Sequence, residues 1–407
     1  MALTGNEDGA PLLAPACIAS AADAALQTFA VIAGSPALGS LSGSLLLGER
    51  AAIAGHVRRG RTSPGGTCRL LRTATDWIAL NLARDDDVAL LSAWLQCTVG
   101  SRPTDYWPQV THELENRRAA EIVARGRELG LPIARVGETA PGAPWTRIAL
   151  RTAERGSEAR NTPLVIDLSS LWAGPLAGHL LEQSGARVIK VESINRPDGA
   201  RRGPQAFYDL LNTGKQSVAL DFHSHEDLRV LDHLLRQADI VIEASRPRAL
   251  AQLGLDAHAY MQAVPGMTWL SITGYGRDAA LGERVAFGDD AAAAGGLVAY
   301  DCTGGSPMFC GDAIADPLTG LHGALAAFGS WRLGGGRLLD IAMSNVCAHV
   351  RGFAEMPDDA VCAISDDGYM VSTPQGDQAV EAPRPRRAAG RAATLGEHTR
   401  AVVGELC

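Results

Sequence analysis

Between residues 162 and 275 the sequence alternates short apolar runs with stretches of helical periodicity, and this alternation constrains the fold more than any other feature. In the last helical stretch before residue 240, leucines recur at helical spacing (Leu228, Leu231, Leu234, Leu235). Gly185 is placed to end an earlier helix. The apolar runs cover residues 164–168, 187–192, 217–221, 240–243 and 268–273. Such a pattern predicts βαβ units, and hence an α/β fold with a Rossmann-like parallel sheet whose ligands bind at the carboxyl ends of the strands.

The segments that flank this block predict a second, smaller domain and a tail. Residues 1–150 are expected to form a small α+β domain, with a strand at 76–81 and a helix over 113–129. The polar stretch 151–161 is a candidate linker. The large domain spans 162–350, with small-residue helices over 291–299 and 319–328 and a strand at 337–342. Residues 351–407 are predicted to form a C-terminal tail that returns to the core, extended over 382–393.

Charge and cysteine usage exclude several classes of protein. The net charge of −8 argues against nucleic acid or an anionic membrane as the main partner. No window reaches the roughly 18 uninterrupted apolar residues of a membrane-spanning helix, and the first ten residues lack the basic run of a signal peptide. The eight cysteines are scattered without a C-x-x-C pair, which predicts reduced thiols and no metal site. We therefore expect a cytoplasmic protein.

The first strand-turn-helix, at residues 168–178, is a candidate site for an anion. Small residues at 173, 174, 177 and 178 let a ligand approach the backbone, and the amides at a helix N-terminus favour a phosphate. Glu192 ends the next strand, where a dinucleotide-binding site places its ribose-binding acid, but the Gly-x-Gly-x-x-Gly pattern is incomplete. From these residues alone, the segment could be the cofactor site of a dehydrogenase, or it could be a tight turn with a purely structural role.

Sequence motifs in the central part of the chain indicate a family. The sequence reads WAGPLAG from 172, GARVIKVE from 185, LNTGKQSVALD from 211, ADIVIE from 238, SITGYG from 271, AIADPLTG from 313 and GRLLDIAM from 336. In this order and over about 164–350, these motifs resemble family III CoA-transferases, which include formyl-CoA and carnitine CoA-transferases and are related to α-methylacyl-CoA racemases. The resemblance implies an acyl-CoA:carboxylate CoA-transferase with coenzyme A as co-substrate.

The resemblance implies that Asp316 is the nucleophile, because the family's aspartate lies in an Ala-Asp…Thr-Gly segment. A carboxylate that attacks a thioester gives a mixed anhydride, and the released thiolate then gives an aspartyl-CoA thioester. Such a site must exclude water and offer amides to the oxyanion. The alternative from position alone is that Asp316 caps the helix that follows.

Asp289 and Asp290 lie where the related racemases carry Gly-His-Asp, and no histidine is present there. Racemisation needs an acid and a base on opposite faces of the α-carbon. An isomerase or racemase in which Asp316 acts as acid or base is therefore an alternative. The two aspartates are expected to cap the alanine-rich helix.

The resemblance also implies the residues that contact CoA. The candidates are Trp172, Ala173, Gly174, Pro175, Arg196, Arg201, Lys215, Leu220, Ser245, Arg246, Gly274 and Tyr275. The arginines at 196, 201 and 202 are natural partners for phosphates, with a solvated charged loop as the alternative.

The chain departs from the family pattern at two sets of residues and in the order of its domains. It has Glu243-Ala-Ser245 where relatives have Glu-Asn-Phe, and Gln252 where they have an arginine. The small domain precedes the core motifs instead of following them. These departures leave a non-catalytic relative, acting as a partner or scaffold, as a further alternative. The expected partners are an acyl-CoA and a carboxylic acid, and the family implies an interlocked homodimer.

Overall fold

The computed structural model describes residues 1–156, 162–300, 305–353, 362–365, 368–373 and 376–407. The α-helices in these ranges are α1 (Ile18–Ala33), α2 (Pro36–Gly39), α3 (Gly43–Leu46), α4 (Glu49–Ala54), α5 (Asp85–Ala89), α6 (Leu91–Leu95), α7 (Pro103–Leu114), α8 (Ala119–Glu128), α9 (Ala173–Gln183), α10 (Gln205–Asn212), α11 (His225–Gln237), α12 (Pro247–Gln252), α13 (Ala257–Ala263), α14 (Gly288–Ala294), α15 (Ala315–Arg332), α16 (Met343–Arg351) and α17 (Thr399–Leu406). A 3-10 turn covers Gly199–Arg202.

The β-strands in the same ranges are β1 (Cys68–Arg72), β2 (Trp77–Asn81), β3 (Ile133–Arg135), β4 (Arg147–Arg151), β5 (Leu164–Asp167), β6 (Arg187–Ser193), β7 (Gln216–Leu220), β8 (Ile240–Glu243), β9 (Thr268–Thr273), β10 (Val298–Tyr300), β11 (Pro307–Phe309), β12 (Arg337–Ala342), β13 (Cys362–Ser365), β14 (Gly368–Thr373) and β15 (Gly376–Ala379).

Within the described residues, the largest sheet has seven strands in the order β4-β12-β9-β8-β5-β6-β7. Neighbouring strands are parallel, except that β4 runs antiparallel to β12 at one edge. Counted along the chain, the six parallel strands follow the order 3-2-1-4-5-6 of doubly wound nucleotide-binding sheets. The order reverses between β5 and β8, so the crevice expected for a ligand lies beyond the carboxyl ends of these two strands.

Both faces of the sheet are covered at its centre, so the inner strands β5, β8 and β9 are buried at every residue. Val165 of β5 points into a cluster with α1, α9 and α15, whereas Leu164 and Ile166 point into a second cluster with α11, α13 and α17. Alternate residues of one strand thus enter two separate cores. Helix α11 begins with an N-cap: the side chain of Ser224 accepts a hydrogen bond from the Asp227 amide.

The first 150 residues contribute to two regions. The sheet β1-β2-β3 packs with α6, α7 and α8 around a core of its own. The helix α1 instead packs along α15 in the core of the large sheet, where the rings of Phe29 and Phe328 lie 5.3 Å apart. The boundaries at residues 150, 162 and 350 stay a prediction.

Comparison with the predicted elements confirms the α/β class, a mostly parallel sheet and strands at each predicted position of the central block. Three details are wrong. The alanine-rich helix ends at Ala294, and 298–300 form a strand, because the glycines at 295 and 296 end the helix. The helix predicted over 113–129 is interrupted between Leu114 and Ala119. Strand β4 overlaps the predicted linker at Arg151 and completes the sheet edge.

In the part of the chain that the structure describes, no helix has the length and apolar character needed to cross a membrane. Cys68, Cys97, Cys310, Cys347, Cys362 and Cys407 are free thiols. Cys302 lies outside the described residues.

Candidate active site

Asp316 lies in the first turn of α15, the long helix that packs between α1 and α9. Ile314 occupies the N-cap position of this helix, and no side-chain cap hydrogen bond is formed there. Asp316 is therefore the second helical residue and does not cap the helix. Its carboxylate accepts a hydrogen bond from the backbone amide of Ala173, the first residue of α9.

The surroundings of Asp316 combine burial with several charges. The residue is partly exposed, although the protein removes most of the water from around its carboxyl group. Burial raises the pKa of Asp316 to about 7; Asp289 adds to this shift, whereas the Arg50 guanidinium opposes it. On its other side the carboxylate meets Gly288, where a Cβ would lie 2.2 Å from Oδ2. The chain thus leaves room for this carboxylate by placing a glycine opposite it.

Asp312 binds the cation of the site. Arg50 donates from Nε to Oδ2 at 2.8 Å and from Nη2 to Oδ1 at 2.5 Å, and Nδ1 of His56 lies 3.2 Å from Oδ2. Burial alone would raise the pKa of Asp312, but the hydrogen bonds from Arg50 and His56 outweigh it and lower the pKa to about 2. Asp312 is therefore ionised at neutral pH, and its charge is paired with Arg50.

Asp289 and Asp290 are both buried at the start of α14. Asp289 accepts from the Ala313 amide at 2.8 Å, and burial raises its pKa to about 6. Asp290 accepts from the Phe287 amide at 2.9 Å and from Nδ2 of Asn81 at 3.2 Å, and burial raises its pKa to about 7. The bond to Phe287 confirms a capping role for Asp290. Asp289 instead holds the segment before Asp316 through its bond to the Ala313 amide.

These acids can share protons near neutral pH. Arg50 is the cation that opposes the raised pKa of both Asp289 and Asp316. Since its charge is already paired with ionised Asp312, simultaneous ionisation of Asp289 and Asp316 is unfavourable. Such a cluster can supply a carboxylate nucleophile, or an acid and a base.

The turn before α9 connects these groups. Leu171 has a positive φ of 71°, which is unusual for a side chain of its size, and Trp172 follows as the N-cap of α9. The Arg50 guanidinium lies over the Trp172 ring at 5.3 Å, and Phe207 contacts that ring edge-on. The turn predicted to bind CoA thus contacts Arg50 through Trp172 and Asp316 through Ala173.

The glycine and proline of this turn are packed tightly. A Cβ at Gly174 would lie 2.2 Å from Cβ of Ser169, so only glycine fits. The carbonyl of Pro175 accepts a hydrogen bond from Nζ of Lys215 at 2.8 Å. Lys215 is itself buried and also donates to Asp167 at 2.9 Å, at the end of β5. Lys215 therefore holds the turn from inside the protein.

The remaining predicted CoA contacts follow the carboxyl ends of other parallel strands, at the same edge of the sheet as the Trp172 turn. Arg196 is exposed after β6, and Leu220 is the buried last residue of β7. Ser245 and Arg246 follow β8. Among the described residues, no hydrogen bond or ion pair joins these four side chains to Asp316, and their role in CoA binding stays a prediction.

Arg201 has a partner within the chain that the sequence did not indicate. It donates from Nε and Nη2 to Glu192, at 2.9 and 2.6 Å, and its guanidinium lies over the Tyr208 ring at 4.5 Å. Glu192 also accepts from the Asp198 amide at 3.0 Å. These contacts give Glu192 a role in holding the loop after β6, and CoA binding by Arg201 stays a prediction.

The Gly274-Tyr275 turn follows β9 and is enclosed. A Cβ at Gly274 would lie 2.4 Å from Cβ of Ala286. Tyr275 is buried between the guanidinium groups of Arg127 and Arg284, at 5.5 and 5.6 Å from its ring. A contact of this turn with CoA is therefore expected through its backbone.

Arg50, His56 and Asp312 are the functional candidates that sequence reasoning missed. Asp312 precedes Asp316 by four residues, and this spacing is the one signal for it in the sequence. Arg50 lies 262 residues before Asp312, in a segment without a motif. Among the described residues, no group of three or more His, Cys, Asp or Glu side chains has the arrangement of a metal site.

Comparison with known proteins places these features in a family. The model of the family described as CoA-transferase family III matches residues 163–370, just over half of the 407-residue chain. A succinate–glutarate CoA-transferase of Agrobacterium fabrum is 32% identical over 228 residues, which are 51% of this chain and 54% of that protein. A succinyl-CoA–D-citramalate CoA-transferase of Chloroflexus aurantiacus is 28% identical over 191 residues, 44% of this chain and 48% of that protein.

Among solved structures, a CAIB/BAIF family protein from Brucella suis is 28% identical, with a TM-score of 0.45 over 52% of this chain and 66% of that one. The chain spans about half the length of the curated relatives it matches. From the extent of the family match, the chain belongs to CoA-transferase family III.

Proposed function

We propose that the chain transfers coenzyme A from an acyl-CoA to a carboxylic acid through intermediates on Asp316. The observation that carries this proposal is the placement of the Asp316 carboxylate at the start of α15, near the Arg50–Asp312 ion pair and a helix N-terminal amide. The names of the relatives from Agrobacterium fabrum and Chloroflexus aurantiacus support CoA transfer as the reaction class.

The first half-reaction loads the enzyme. An oxygen of Asp316 attacks the thioester carbonyl, the carbon–sulfur bond breaks, and CoA leaves as a thiolate. The thiolate then attacks the Asp316 carbonyl of the mixed anhydride, which releases the donor's carboxylate and leaves an aspartyl-CoA thioester. The Ala173 amide, which donates to the Asp316 carboxylate at rest, is placed to donate to the oxyanion that forms on the same group.

The second half-reaction reverses these steps with the acceptor. Its carboxylate attacks the aspartyl thioester and expels the thiolate, and the thiolate then attacks the acyl carbonyl of the new anhydride. The new acyl-CoA leaves and the Asp316 carboxylate is restored. Burial around Asp316 protects both intermediates from water, so the thioester bond is conserved.

A transfer assay tests this proposal. The chain is mixed with donor acyl-CoAs and acceptor acids, and new acyl-CoA is measured for the parent and for Asp316→Asn, with circular dichroism as the control for folding. We expect transfer by the parent and none by the folded variant. Near-parental turnover of folded Asp316→Asn contradicts the mechanism.

A second candidate is an acid–base reaction on an acyl-CoA, favoured by the raised pKa of both Asp289 and Asp316. Incubation of 2-methylacyl-CoA in D₂O separates the two functions. Deuterium at the α-carbon without exchange of CoA between acids supports the isomerase. Neither reaction, together with no CoA binding, supports a non-catalytic partner or scaffold.

Cytoplasmic location and the homodimer remain predictions.

A further inference from the structure

The guanidinium of Arg50 is fixed on two sides. Nε and Nη2 donate to the two oxygens of Asp312, at 2.8 and 2.5 Å. One face of the group lies over the Trp172 ring at 5.3 Å. A planar cation held by a carboxylate and an aromatic ring has little freedom to turn, so its remaining edge points in one direction.

That remaining edge carries Nη1. Among the described residues, no hydrogen bond uses Nη1 of Arg50. The side chain is 30% exposed, whereas that of Asp312 is fully buried. A small ligand can therefore reach the free edge of Arg50 from solvent.

The free edge lies in the same site as the nucleophile. Trp172, under the guanidinium, is followed by Ala173, whose amide donates to Asp316. Asp312, which holds the Arg50 guanidinium, precedes Asp316 by four residues in the segment that leads into α15. A ligand held on Nη1 thus lies where α4 and the Trp172 turn meet the segment that leads into Asp316.

An entering carboxylate needs such a cation. Asp289, Asp312 and Asp316 surround the site with negative charge, and an acceptor acid adds another. Arginine binds carboxylates through charge-assisted hydrogen bonds and keeps its charge at every physiological pH.

We propose that Nη1 of Arg50 binds the carboxylate of the acceptor acid and holds it against the Asp316 intermediate. This inference rests on the proposed CoA transfer. It assigns the substrate subsite to a residue from the N-terminal part of the chain, outside the matched region 163–370.

Steady-state kinetics of Arg50→Met tests the inference. Succinyl-CoA is the donor, and acetate, butyrate, succinate and glutarate are the acceptors. We expect the acceptor KM to rise at least about tenfold, the effect of losing roughly one charge-assisted hydrogen bond, while the KM for succinyl-CoA changes by less than about twofold. Equal rises for monocarboxylates and dicarboxylates place the reacting carboxylate on Arg50. A rise confined to dicarboxylates, together with a raised KM for succinyl-CoA, which carries a free carboxylate of its own, places the distal carboxylate there.

Arg84→Met is the matched control. Arg84 also donates from Nε and Nη2 to a fully buried aspartate, Asp87, and is 38% exposed, but it lies at the start of α5, away from Asp316. We expect parental KM values for every acceptor in this variant.

The double variant Arg50→Met/Asp312→Asn separates substrate binding from a structural role. It removes the buried aspartate charge that Arg50→Met leaves unpaired, so its melting temperature should return toward that of the parent. The inference predicts that the acceptor KM stays raised. Recovery of the parental acceptor KM, or an unchanged acceptor KM in folded Arg50→Met, overturns the inference while the parent still transfers CoA. Absence of transfer by the parent overturns the proposed function, and this inference with it.

Discussion

The carboxyl group of Asp316 shares one nearby cation with Asp312 and Asp289. Asp312 takes Nε and Nη2 of Arg50, and Asp316 has a backbone amide as its donor. Reactivity at this position therefore depends on the protonation of its neighbours.

The pH dependence of transfer follows from this arrangement. Asp316 attacks as a carboxylate, and burial raises its pKa to about 7, so kcat/KM should rise with pH through about 7. Because the two acids interact, the apparent midpoint belongs to Asp316 and Asp289 together. Rates measured between about pH 5 and 9 check this expectation.

Asp289→Asn provides the control for the pH profile. It removes a like charge that raises the pKa of Asp316, so the midpoint should move to lower pH. A rate that is flat or falls over the same range shows that ionisation of Asp316 does not limit the reaction.

At the residue scale, the sequence predicted Asp316 as the candidate nucleophile and gave no indication of the groups around it. Asp316 lies in a local motif that can be read without a structure. Arg50 and Asp312 meet across 262 positions, and neither lies in a pattern that indicates the other. Arg201 and Lys215 show the reverse, since basic residues beside a predicted ligand site turn out to have buried carboxylate partners in the chain.

At the element scale, the close approach of α14 to α15 shapes the site. A Cβ at Gly288 would lie 2.2 Å from Oδ2 of Asp316 and 2.5 Å from the Ala313 carbonyl. Gly288→Ala should displace the carboxylate, reduce transfer at least about tenfold and cost about 1–3 kcal/mol of stability through overpacking. Transfer rates and thermal unfolding of the purified variant measure both effects.

Gly329→Ala is the control within α15, because a Cβ at Gly329 meets nothing within 4 Å. It should keep parental activity and gain up to about 1 kcal/mol from helix propensity. Full activity of Gly288→Ala means that the Asp316 carboxylate does not need its present position.

The extended tail before α17 fastens α4, the helix that carries Arg50. Arg386 donates to the buried Glu49 from its backbone amide, Nε and Nη2, at 3.0, 2.6 and 3.0 Å. Its Nη1 lies 3.0 Å from Nε2 of His179. The tail is thus part of the support for the site.

Arg386→Ala should leave the Glu49 carboxylate buried without its partner, which costs on the order of 3–5 kcal/mol. We expect a clear fall in the denaturant midpoint, with a smaller change for the adjacent, exposed Arg387→Ala. Equal midpoints for the two variants contradict a fastening role for the tail.

At the scale of the whole molecule, the periodicity of residues 162–275 predicted the parallel sheet, because buried strands need continuous apolar runs. Periodicity carries no comparable signal for β4, which is largely exposed and pairs with β12 far along the chain. The packing of α1 against α15 was missed for the same reason, since long-range contacts leave no local pattern.

The interlocked homodimer stays a prediction at this scale. Light scattering at low micromolar concentration should report about twice the 42.6 kDa mass of the chain. A monomer that is active and stable at that concentration contradicts the expectation, and it does so without affecting the role of Asp316.

Chemical trapping of the intermediate tests the central claim most directly. Hydroxylamine added to the chain and an acyl-CoA, without an acceptor, should convert the activated carboxyl group of Asp316 to a hydroxamate, and peptide mass spectrometry should locate the added mass at residue 316. Arg84→Met should give the same product, and Asp316→Asn should give none. A chain that transfers CoA while residue 316 stays unmodified contradicts the account.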